Sequence, residues 1–241
     1  MNDVAVLPLS PDVIAALQGV CTATLTTVLL KKGLRNVWMR GPRPLVPGTP
    51  KQIGRAFTLR FVPAREDLAT PASWGAPVST RAAIEAMPPG VIAVIDAMGT
   101  TDAGVFGDIL CLRMAKRGVA GLVTDGVVRD GDGVRGTHLP VWCQGTVAPP
   151  SVAGLTFVAW QQPIGCGGVA VFPNDVVVAD ADGAVLIPAA LLDEVVALAV
   201  EQELQEAWIM EEVRAGTRLP GLYPPDEAAK ARYEAWKRGR A

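Results

Sequence analysis

The chain has 241 residues, a formal net charge of -2 and 50% hydrophobic residues, enough for one large domain with a substantial core. No basic cluster suggests nucleic-acid binding, and no apolar run reaches transmembrane length without a Thr, Gly or charged residue. The first residues, MNDVAVLPLS, lack the basic and long apolar regions of a signal peptide. We therefore expect a cytoplasmic protein with neither nucleic-acid nor membrane partners.

Cysteine and histidine are few and dispersed. The four cysteines form no CxxC pair, and His138 is the single histidine. A histidine-based zinc site or a Ser-His-Asp triad would depend on His138 alone. We interpret the cysteines as reduced, mostly buried thiols rather than as disulfides.

The first half of the chain predicts alternating helices and strands. Ser10 and Pro11 suit an N-cap and a first helical residue, so we predict one helix from Asp12 to Lys32, ended at Gly33. Proline-rich residues 41–50 predict a loop, and the next segments follow their apolar patterns. The predicted strands are 53–63, 91–95 and 119–124, the predicted helices are 79–87 and 108–116, and residues 64–80 are expected to be irregular.

The second half predicts antiparallel strands followed by helices. LPVWCQG, VAGLTFVAWQQPI, GVAVFP and DVVVADADGAVLIP suit strands, and the turn at residues 180–183 suggests a hairpin. A helix from Ala189 to Ala215 follows, then a charged tail helix that we expect to pack on a neighbour or lie in solvent. The order of elements predicts one mixed α/β domain over residues 1–220, with the tail helix in 221–241.

Charged residues collect after two of the predicted strands. The strand ending at Asp96 leads through a glycine-rich loop to the helix that begins at Asp108. The strand ending near Thr124 leads to Arg129 and Asp130. If these strands are parallel neighbours, their carboxyl ends face one crevice.

The residue types in this crevice suit a small 2-oxo acid. The helix N-terminus, with the amides of Ile109 and Leu110, and the planar guanidinium of Arg129 can bind a carboxylate. Asp108 and Asp130 are hard oxygen ligands, which favour Mg²⁺ or Mn²⁺ where no histidine or thiolate cluster competes. Such a cation stabilises the enolate formed when a carbon–carbon bond breaks beside a 2-oxo group.

The same residues also have structural explanations. Asp108 alone suits an N-cap, and Arg129-Asp130 alone suits a turn with an exposed ion pair worth under about 1 kcal/mol. A hairpin turn explains Asp180 and Asp182 without a metal. Glycines 99, 104 and 107 do not form GxGxxG and no Walker lysine follows, so we discount a dinucleotide or nucleoside triphosphate site. On the residues alone, the functional and structural interpretations of the crevice both remain open.

The crevice residues resemble the RraA-like superfamily, and within it the class II pyruvate aldolases acting on 4-hydroxy-4-methyl-2-oxoglutarate and 4-carboxy-4-hydroxy-2-oxoadipate. Their signature is Asp, twenty residues, then Arg-Asp, which matches Asp108, residues 109–128 and Arg129-Asp130. The flanking GDIL and RGVAGLVTDGVVRD and the later ADADGAVLIP also match. The resemblance extends from near residue 15 to near residue 220.

The resemblance implies an α/β sandwich with a swivelling-domain-like mixed sheet, assembled as a homotrimer or homohexamer with the site between subunits. Asp130 would bind Mg²⁺ directly, and Asp108 would hold metal-bound waters. Arg129 would bind the substrate's oxo or carboxylate oxygens and the developing enolate. The groups implied for binding the pyruvyl carboxylate are the helix-start residues Gly107, Ile109 and Leu110.

The resemblance also implies a glutamate from the neighbouring subunit's long C-terminal helix, and Glu206 or Glu203 matches its position. The implied activity is metal-dependent cleavage of a 4-hydroxy-2-oxo acid to pyruvate and a carbonyl compound, with oxaloacetate decarboxylation as a side activity. The alternatives are a dedicated 2-oxo-acid decarboxylase and a non-catalytic RraA-type regulator of an RNA-processing enzyme. The regulatory branch lacks the signature aspartates, which this chain keeps.

Two segments depart from the family pattern. TATLTTVLL stands where the family usually carries an aspartate, and residues 64–78 look unlike the short aldolases. In and near the second segment, Trp74, Arg65 and Arg81 are candidates for contacting the acceptor half of the substrate. A core tryptophan and solvated arginines are the simpler interpretation of these three residues.

Overall fold

The computed structural model describes residues 5–239. The helices are α1 (Pro11–Gln18), α2 (Thr22–Lys31), α3 (Thr80–Ala86), α4 (Asp108–Lys116), α5 (Gly131–Gly136), α6 (Leu192–Arg214) and α7 (Glu227–Arg238). The strands are β1 (Trp38–Met39), β2 (Arg43–Pro44), β3 (Gln52–Pro63), β4 (Ile92–Asp96), β5 (Gly121–Thr124), β6 (Val141–Cys143), β7 (Leu155–Trp160), β8 (Ile164–Cys166), β9 (Val169–Val171), β10 (Val176–Asp180) and β11 (Gly183–Ile187). Short 3₁₀ helices lie at Pro71–Gly75, Ser151–Ala153 and Ala189–Leu191.

One large mixed sheet organises the chain. Its order is β1-β11-β10-β3-β4-β5-β6-β2, with β7 also paired to β3. The pairs β3–β4, β4–β5 and β5–β6 are parallel, whereas the other pairs in this sheet are antiparallel. The predicted mixed α/β class is therefore confirmed.

The sheet is covered on both faces. In β10, Val176 and Val178 pack with α1, α2 and α6, whereas Val177 and Ala179 pack toward the β8–β9 hairpin. Strands buried on both faces have nearly continuous apolar sequences, which explains the long valine-rich runs. The result is a sandwich with helices on one side of the sheet and the hairpin on the other.

The crevice predicted from the sequence depends on two neighbouring strands, and this part of the prediction is confirmed. β4 and β5 are adjacent and parallel, with Ile95 paired to Thr124. The helix that follows β4 has the predicted bounds, 108–116. The carboxyl ends of both strands therefore lie at one edge of the sheet, next to the start of α4.

The single helix predicted from Asp12 to Lys32 is wrong. Two helices, α1 and α2, meet at an angle of 104°. The ammonium of Lys51 contacts the carbonyl oxygens at the end of α1, and Cys21 Sγ accepts a hydrogen bond from Thr24 N to begin α2. Within residues 5–239 no single helix is long and apolar enough to cross a membrane, and α1 and α2 pass that test only as a bent pair.

The hairpin interpretation of Asp180 is confirmed, with an added role. Asp180 Oδ1 accepts from Asp182 N across the turn at 2.9 Å. The same carboxylate accepts from Thr22 N at 2.9 Å and from Thr22 Oγ1 at 2.7 Å. This long-range contact orients the first residue of α2 and thereby helps to separate it from α1.

Other differences are local. The predicted loop 41–50 contains the short strand β2, residues 131–136 form the unpredicted helix α5, and the segment 71–75 is a 3₁₀ helix. The tail helix α7 packs on α6 of its own chain, with the rings of Trp208 and Tyr233 5.6 Å apart. The expectation that it lies in solvent or packs on a neighbour is therefore corrected.

Candidate active site

Two loops run side by side above the carboxyl ends of β4 and β5. Val105 N donates to Val127 O, and Arg129 N donates to Phe106 O, both at 2.9 Å. These hydrogen bonds connect the segment that leads into α4 with the segment that ends at Asp130. They fix the Arg-Asp pair beside the start of α4.

A buried carboxylate holds the base of these loops. Asp125 Oδ1 accepts from Ala97 N at 2.8 Å, and Oδ2 accepts from Gly167 N at 3.1 Å. Burial raises the pKa of Asp125, and the backbone hydrogen bonds oppose that effect. Asp125 thereby joins both loops to the β8–β9 hairpin.

Two glycines leave the space that the signature carboxylates occupy. A Cβ at Gly107 would overlap Oδ2 of Asp130, and a Cβ at Gly133 would lie 2.6 Å from Oδ2 of Asp108. Gly133 was not predicted, because it belongs to a short helix that the sequence pattern did not indicate. Its contact with Asp108 joins α4 to α5 and leaves no signal in the local sequence.

Asp130 has an unusual backbone. Its φ and ψ are 54° and 47°, in the left-handed region, and it stands at the N-cap of α5 without a side-chain capping hydrogen bond. A non-glycine residue in this region carries a conformational cost and is frequently found at functional sites. The carboxylate therefore stays directed at the pocket instead of capping its own helix.

Arg129 has an unsatisfied buried donor. Its Nε is buried with no hydrogen-bond partner among the described residues, and the nearest carboxylate oxygen, Asp130 Oδ2, is 3.5 Å away. The side chain as a whole is 36% exposed, so the guanidinium reaches the pocket. A buried unpaired donor favours an acceptor, and a guanidinium favours an anionic one.

The start of α4 differs in detail from the prediction. The N-cap is Gly107, so the explanation of Asp108 as an N-cap is wrong. Asp108 is the first helical residue, and its Oδ1 accepts from Ile109 N at 2.7 Å. The amide of Ile109 is thus already paired. The amide of Leu110 has no acceptor among residues 5–239.

All the residues predicted for one chain's site line a single pocket of about 240 Å³, called the candidate pocket here. The predicted members are Gly107, Asp108, Ile109, Leu110, Arg129 and Asp130. Further walls come from residues that the signature does not include, namely Trp74, Thr80, Arg81, Gly104, Val105, Phe106, Pro150 and Ser151. The tertiary structure thus brings the signature and the irregular 64–80 segment together.

Trp74, Arg65 and Arg81 were the candidates for contacting the acceptor half of the substrate, and Trp74 and Arg81 line this pocket. Trp74 is half-buried in its wall, so its interpretation as a core residue is wrong. Arg81 is exposed and places its guanidinium 5.0 Å from the centre of the Trp74 ring. Arg65 lies elsewhere and pairs with Asp67 through bonds of 2.8 and 2.7 Å.

The donor set fits a hard divalent cation. Within the described chain, no three His, Cys, Asp or Glu side chains form a cluster that would hold a metal alone. Mg²⁺ does not require such a cluster, because one or two carboxylates with water and substrate oxygens complete its coordination. Asp108 and Asp130 supply two carboxylates, and glycine rather than a larger residue lies against each.

Thiolate ligation is disfavoured at this site. Burial, together with the charges of Cys143, Asp108 and Asp130, raises the pKa of Cys111 beneath the pocket to about 12. Its thiol is therefore neutral near pH 7. The prediction of free, mostly buried thiols is confirmed, since Cys111, Cys143 and Cys166 are buried and Cys21 is partly buried.

The two candidate glutamates of α6 lie away from their own chain's candidate pocket. Glu203 Oε1 accepts from Cys21 N at 2.8 Å and so supports the start of α2. Glu206 Oε1 accepts from Gln202 Nε2, one turn earlier on the same helix, at 2.8 Å. Of the two glutamates, Glu203 thus bonds to a residue outside α6, whereas the bond of Glu206 stays within α6.

A family model described as RraA-like: Aldolase/RraA matches residues 20–186. Among solved structures, RraAS2 of Streptomyces coelicolor, described as an unusual member of the RNase ES inhibitor RraA protein family, is 35% identical with a TM-score of 0.75, over 85% of this chain and 98% of that one. An uncharacterized protein from Pseudomonas syringae pv. tomato is 28% identical with a TM-score of 0.76, over 90% of this chain and 99% of that one.

Two curated relatives match in part. DlpA of Legionella pneumophila is 32% identical over 177 residues, 73% of this chain and 28% of DlpA. A Halalkalibacterium halodurans protein named "Putative 4-hydroxy-4-methyl-2-oxoglutarate aldolase" is 41% identical over 102 residues, 42% of this chain and 47% of that protein. The chain therefore spans less than half the length of either relative.

Proposed function

Because the chain belongs to the RraA-like family, we propose that it is a divalent-metal-dependent lyase that cleaves a 4-hydroxy-2-oxo acid to pyruvate and a carbonyl compound. The observation that carries this proposal is the candidate pocket itself. It joins the guanidinium of Arg129, whose buried Nε has no hydrogen-bond partner among the described residues, to two carboxylates, Asp108 and Asp130, each of which lies against a glycine.

The chain's own residues in the candidate pocket would have defined tasks. Arg129 and the free amide of Leu110 would bind the carboxylate of the 2-oxo acid and orient its carbonyl. Loss of the 4-hydroxyl proton and cleavage of the C3–C4 bond would leave negative charge on the pyruvate fragment as an enolate. The fixed cation of Arg129 stabilises that charge, and protonation at C3 completes pyruvate.

A metal ion would add to this electrostatic stabilisation. Mg²⁺ or Mn²⁺, held by Asp130 directly and by Asp108 through water, would supply Lewis-acid stabilisation of charge on the 2-oxo group. Decarboxylation of oxaloacetate passes through the same enolate, so we expect it as a side activity.

The proposal includes a cytoplasmic homotrimer or homohexamer with Glu206 or Glu203 of a neighbouring subunit at the site. Ile109 and Leu112, one turn apart on α4 beside the candidate pocket, are 78% and 46% exposed, which suits coverage by another subunit. Glu206 is the better candidate, since Glu203 is already bonded to Cys21.

A second function has a specific observation in its favour. The similarity to RraAS2 covers 98% of that chain, and RraAS2 is described as a member of an RNase inhibitor family. On this alternative the chain would bind an RNA-processing enzyme and perform no chemistry. The two functions differ in whether the purified protein turns over a 2-oxo acid.

The first test is pyruvate release from oxaloacetate with Mg²⁺ and with EDTA. We expect metal-dependent release, and we expect Asp130→Ala to lower it at least about 100-fold without changing the melting temperature by more than a few degrees. The matched control is Asp132→Ala, since that carboxylate is fully exposed and pairs with Arg135. The control should keep wild-type activity.

The outcomes separate the alternatives. Undiminished turnover in Asp130→Ala would eliminate the metal assignment. Turnover of oxaloacetate with no cleavage of any 4-hydroxy-2-oxo acid would favour a dedicated decarboxylase. A folded, Mg²⁺-loaded wild-type protein that releases no pyruvate would favour the regulator, which a pull-down with an RNase E-type enzyme would then test.

A further inference from the structure

A second pocket of about 350 Å³, called the side pocket here, adjoins the candidate pocket. Trp74, Thr80 and Ser151 line both pockets and form the boundary between them. Its volume lies within the range of about 300–1,000 Å³ that is typical of small-molecule sites. A ligand held at Arg129 could therefore extend past Trp74 into a space large enough for a substituent.

The side pocket has an apolar wall. Phe61 and Phe157 pack edge to face with ring centres 5.2 Å apart, and Leu68, Val78 and Leu155 contribute aliphatic surface. None of the described residues that line the side pocket is charged. A carboxylate placed there would lose its water without gaining a cation, which is unfavourable.

Three hydroxyl groups that line the side pocket make hydrogen bonds within the protein. Ser73 Oγ donates to Thr70 O at 2.7 Å. Ser79 Oγ accepts from Ala82 N at 3.2 Å as the N-cap of α3. Thr156 Oγ1 accepts from Arg65 N at 2.9 Å. The hydroxyls of Ser79 and Thr156 keep their O–H donors, so this wall offers neutral polar contacts but no cation for a carboxylate.

The segment that departs from the family pattern, residues 64–78, supplies part of this wall, including Leu68 and Val78. Arg65 O accepts from Leu68 N at 2.8 Å and from Ala69 N at 2.7 Å, forming a tight turn. The 3₁₀ helix Pro71–Gly75 then brings Trp74 to the boundary of the two pockets. The turn and the helix thus give the side pocket a defined shape.

We propose that the side pocket binds the part of the substrate beyond C4, and that this part is an aryl or branched alkyl group rather than a second carboxylate. The proposal rests on the lyase function and specifies its substrate class. Besides Arg129, Arg81 is the only cation among the described residues that line the candidate pocket. Arg81 lies on the exposed side of that pocket, against the Trp74 ring. For a 4-aryl substrate, cleavage of the C3–C4 bond would release the aryl aldehyde, with the hydroxyl proton lost and one proton gained at C3.

Binding of two uncleavable acids tests this proposal. Neither 2-oxo-4-phenylbutanoate nor 2-oxoglutarate has a 4-hydroxyl group, and they differ in carrying a phenyl group or a second carboxylate. By calorimetric titration with Mg²⁺ present, we expect the phenyl acid to bind at least about tenfold more tightly.

Variants locate this preference in the side pocket. Leu68→Asp introduces a charge at a half-exposed position of the wall and should bring the ratio of the two affinities close to one. Val78→Asp, also partly exposed, provides a second variant with the same expected result. The control Leu219→Asp changes an exposed leucine between α6 and α7 and should keep the wild-type ratio.

The possible failures are distinguishable. Tighter binding of 2-oxoglutarate, or an unchanged ratio in both pocket variants, would overturn the side-pocket proposal even if oxaloacetate is turned over. A phenyl preference in a protein that does not turn over oxaloacetate would support the side pocket and count against the lyase. Binding of neither acid would overturn the side-pocket proposal as well.

Discussion

Gly107 has an ordinary extended backbone, with φ at -107° and ψ at -173°, so glycine is not needed there for conformation. It is needed for space, because a Cβ at this position would overlap Oδ2 of Asp130. Asp130 in turn adopts the left-handed conformation at φ 54°. The geometry of the candidate site thus depends on the absence of a Cβ at Gly107 and on the strained backbone of Asp130.

We predict that Gly107→Ala lowers Mg²⁺-dependent pyruvate release on the order of 100-fold, because displacement of the Asp130 carboxylate by about 1 Å misplaces the reacting groups. The melting temperature should change little, since alanine adopts this backbone without strain. Enzyme kinetics and thermal unfolding measure the two effects.

The control for this substitution is Gly136→Ala. A Cβ at Gly136, the last residue of α5, meets no atom within 4 Å. Its activity should equal that of the wild type. Equal activities of all three proteins would show that the close approach of Gly107 to Asp130 does not matter.

At the level of elements, α4 is held against α3 by a cluster of charges. Glu85 on α3 accepts from Arg113 Nε and Nη2 at 2.7 and 2.8 Å and from Arg117 Nη1 at 3.0 Å. Hydrogen bonding to Arg113, and then the charges of both arginines, lower the pKa of Glu85 against the opposing effect of burial. Because α4 begins with Asp108, this cluster supports the element that carries part of the candidate site.

We predict that Glu85→Gln lowers the melting temperature in a pH-dependent way. A carboxylate with a lowered folded pKa stabilises the protein above its unfolded pKa of about 4.3, and this stabilisation is lost as the pH falls through the folded value. The gap between wild type and Glu85→Gln should therefore be largest above about pH 5 and narrow as the pH falls below that range.

Thermal melts over this pH range test the prediction. The matched control, Glu227→Gln, removes an exposed pair with Lys230 inside α7 and leaves the α3–α4 contact intact. A gap between wild type and Glu85→Gln that widens toward acid pH would contradict the assigned role of Glu85.

At the level of the whole molecule, β3 connects the parts of the fold. It pairs with β10, with β4 and with β7, and so joins the half packed by α1, α2 and α6 to the half that carries the candidate pocket. Gly54 lies at the close approach between β3 and β4, where a Cβ would be 2.6 Å from Gly90 O. A side chain at position 54 would therefore push β3 away from the backbone that leads into β4.

We predict that Gly54→Ala lowers the free energy of unfolding by about 1–3 kcal/mol, the cost of overpacking a filled interior. Urea unfolding followed by tryptophan fluorescence measures it. The control is Gly165→Ala in β8, where a Cβ meets no atom within 4 Å. If Gly54→Ala unfolds at the same urea concentration as the wild type, β3 and β4 can move apart to accept a Cβ. That result would contradict a rigid connection through β3.

Much of the fold and part of the candidate site were predictable because they depend on local patterns. The apolar runs of β4 and β5 indicate strands buried on both faces, and the bounds of α4 follow from its flanking glycines. The spacing from Asp108 to Arg129 then places both residues at the carboxyl ends of neighbouring strands. Each of these inferences needs only residues close together in sequence and one parallel pairing.

The sequence by itself thus determined the mixed α/β class, the two buried strands β4 and β5 and the residues of the signature, since periodicity and turn chemistry are local properties. Only the tertiary structure decided where the first helix breaks, because Lys51 and Asp180 approach it from distant segments. It alone also brought Gly133 against Asp108 and Trp74 to the wall of the candidate pocket. These contacts join residues far apart in the chain, and their geometry depends on packing, which no local pattern encodes.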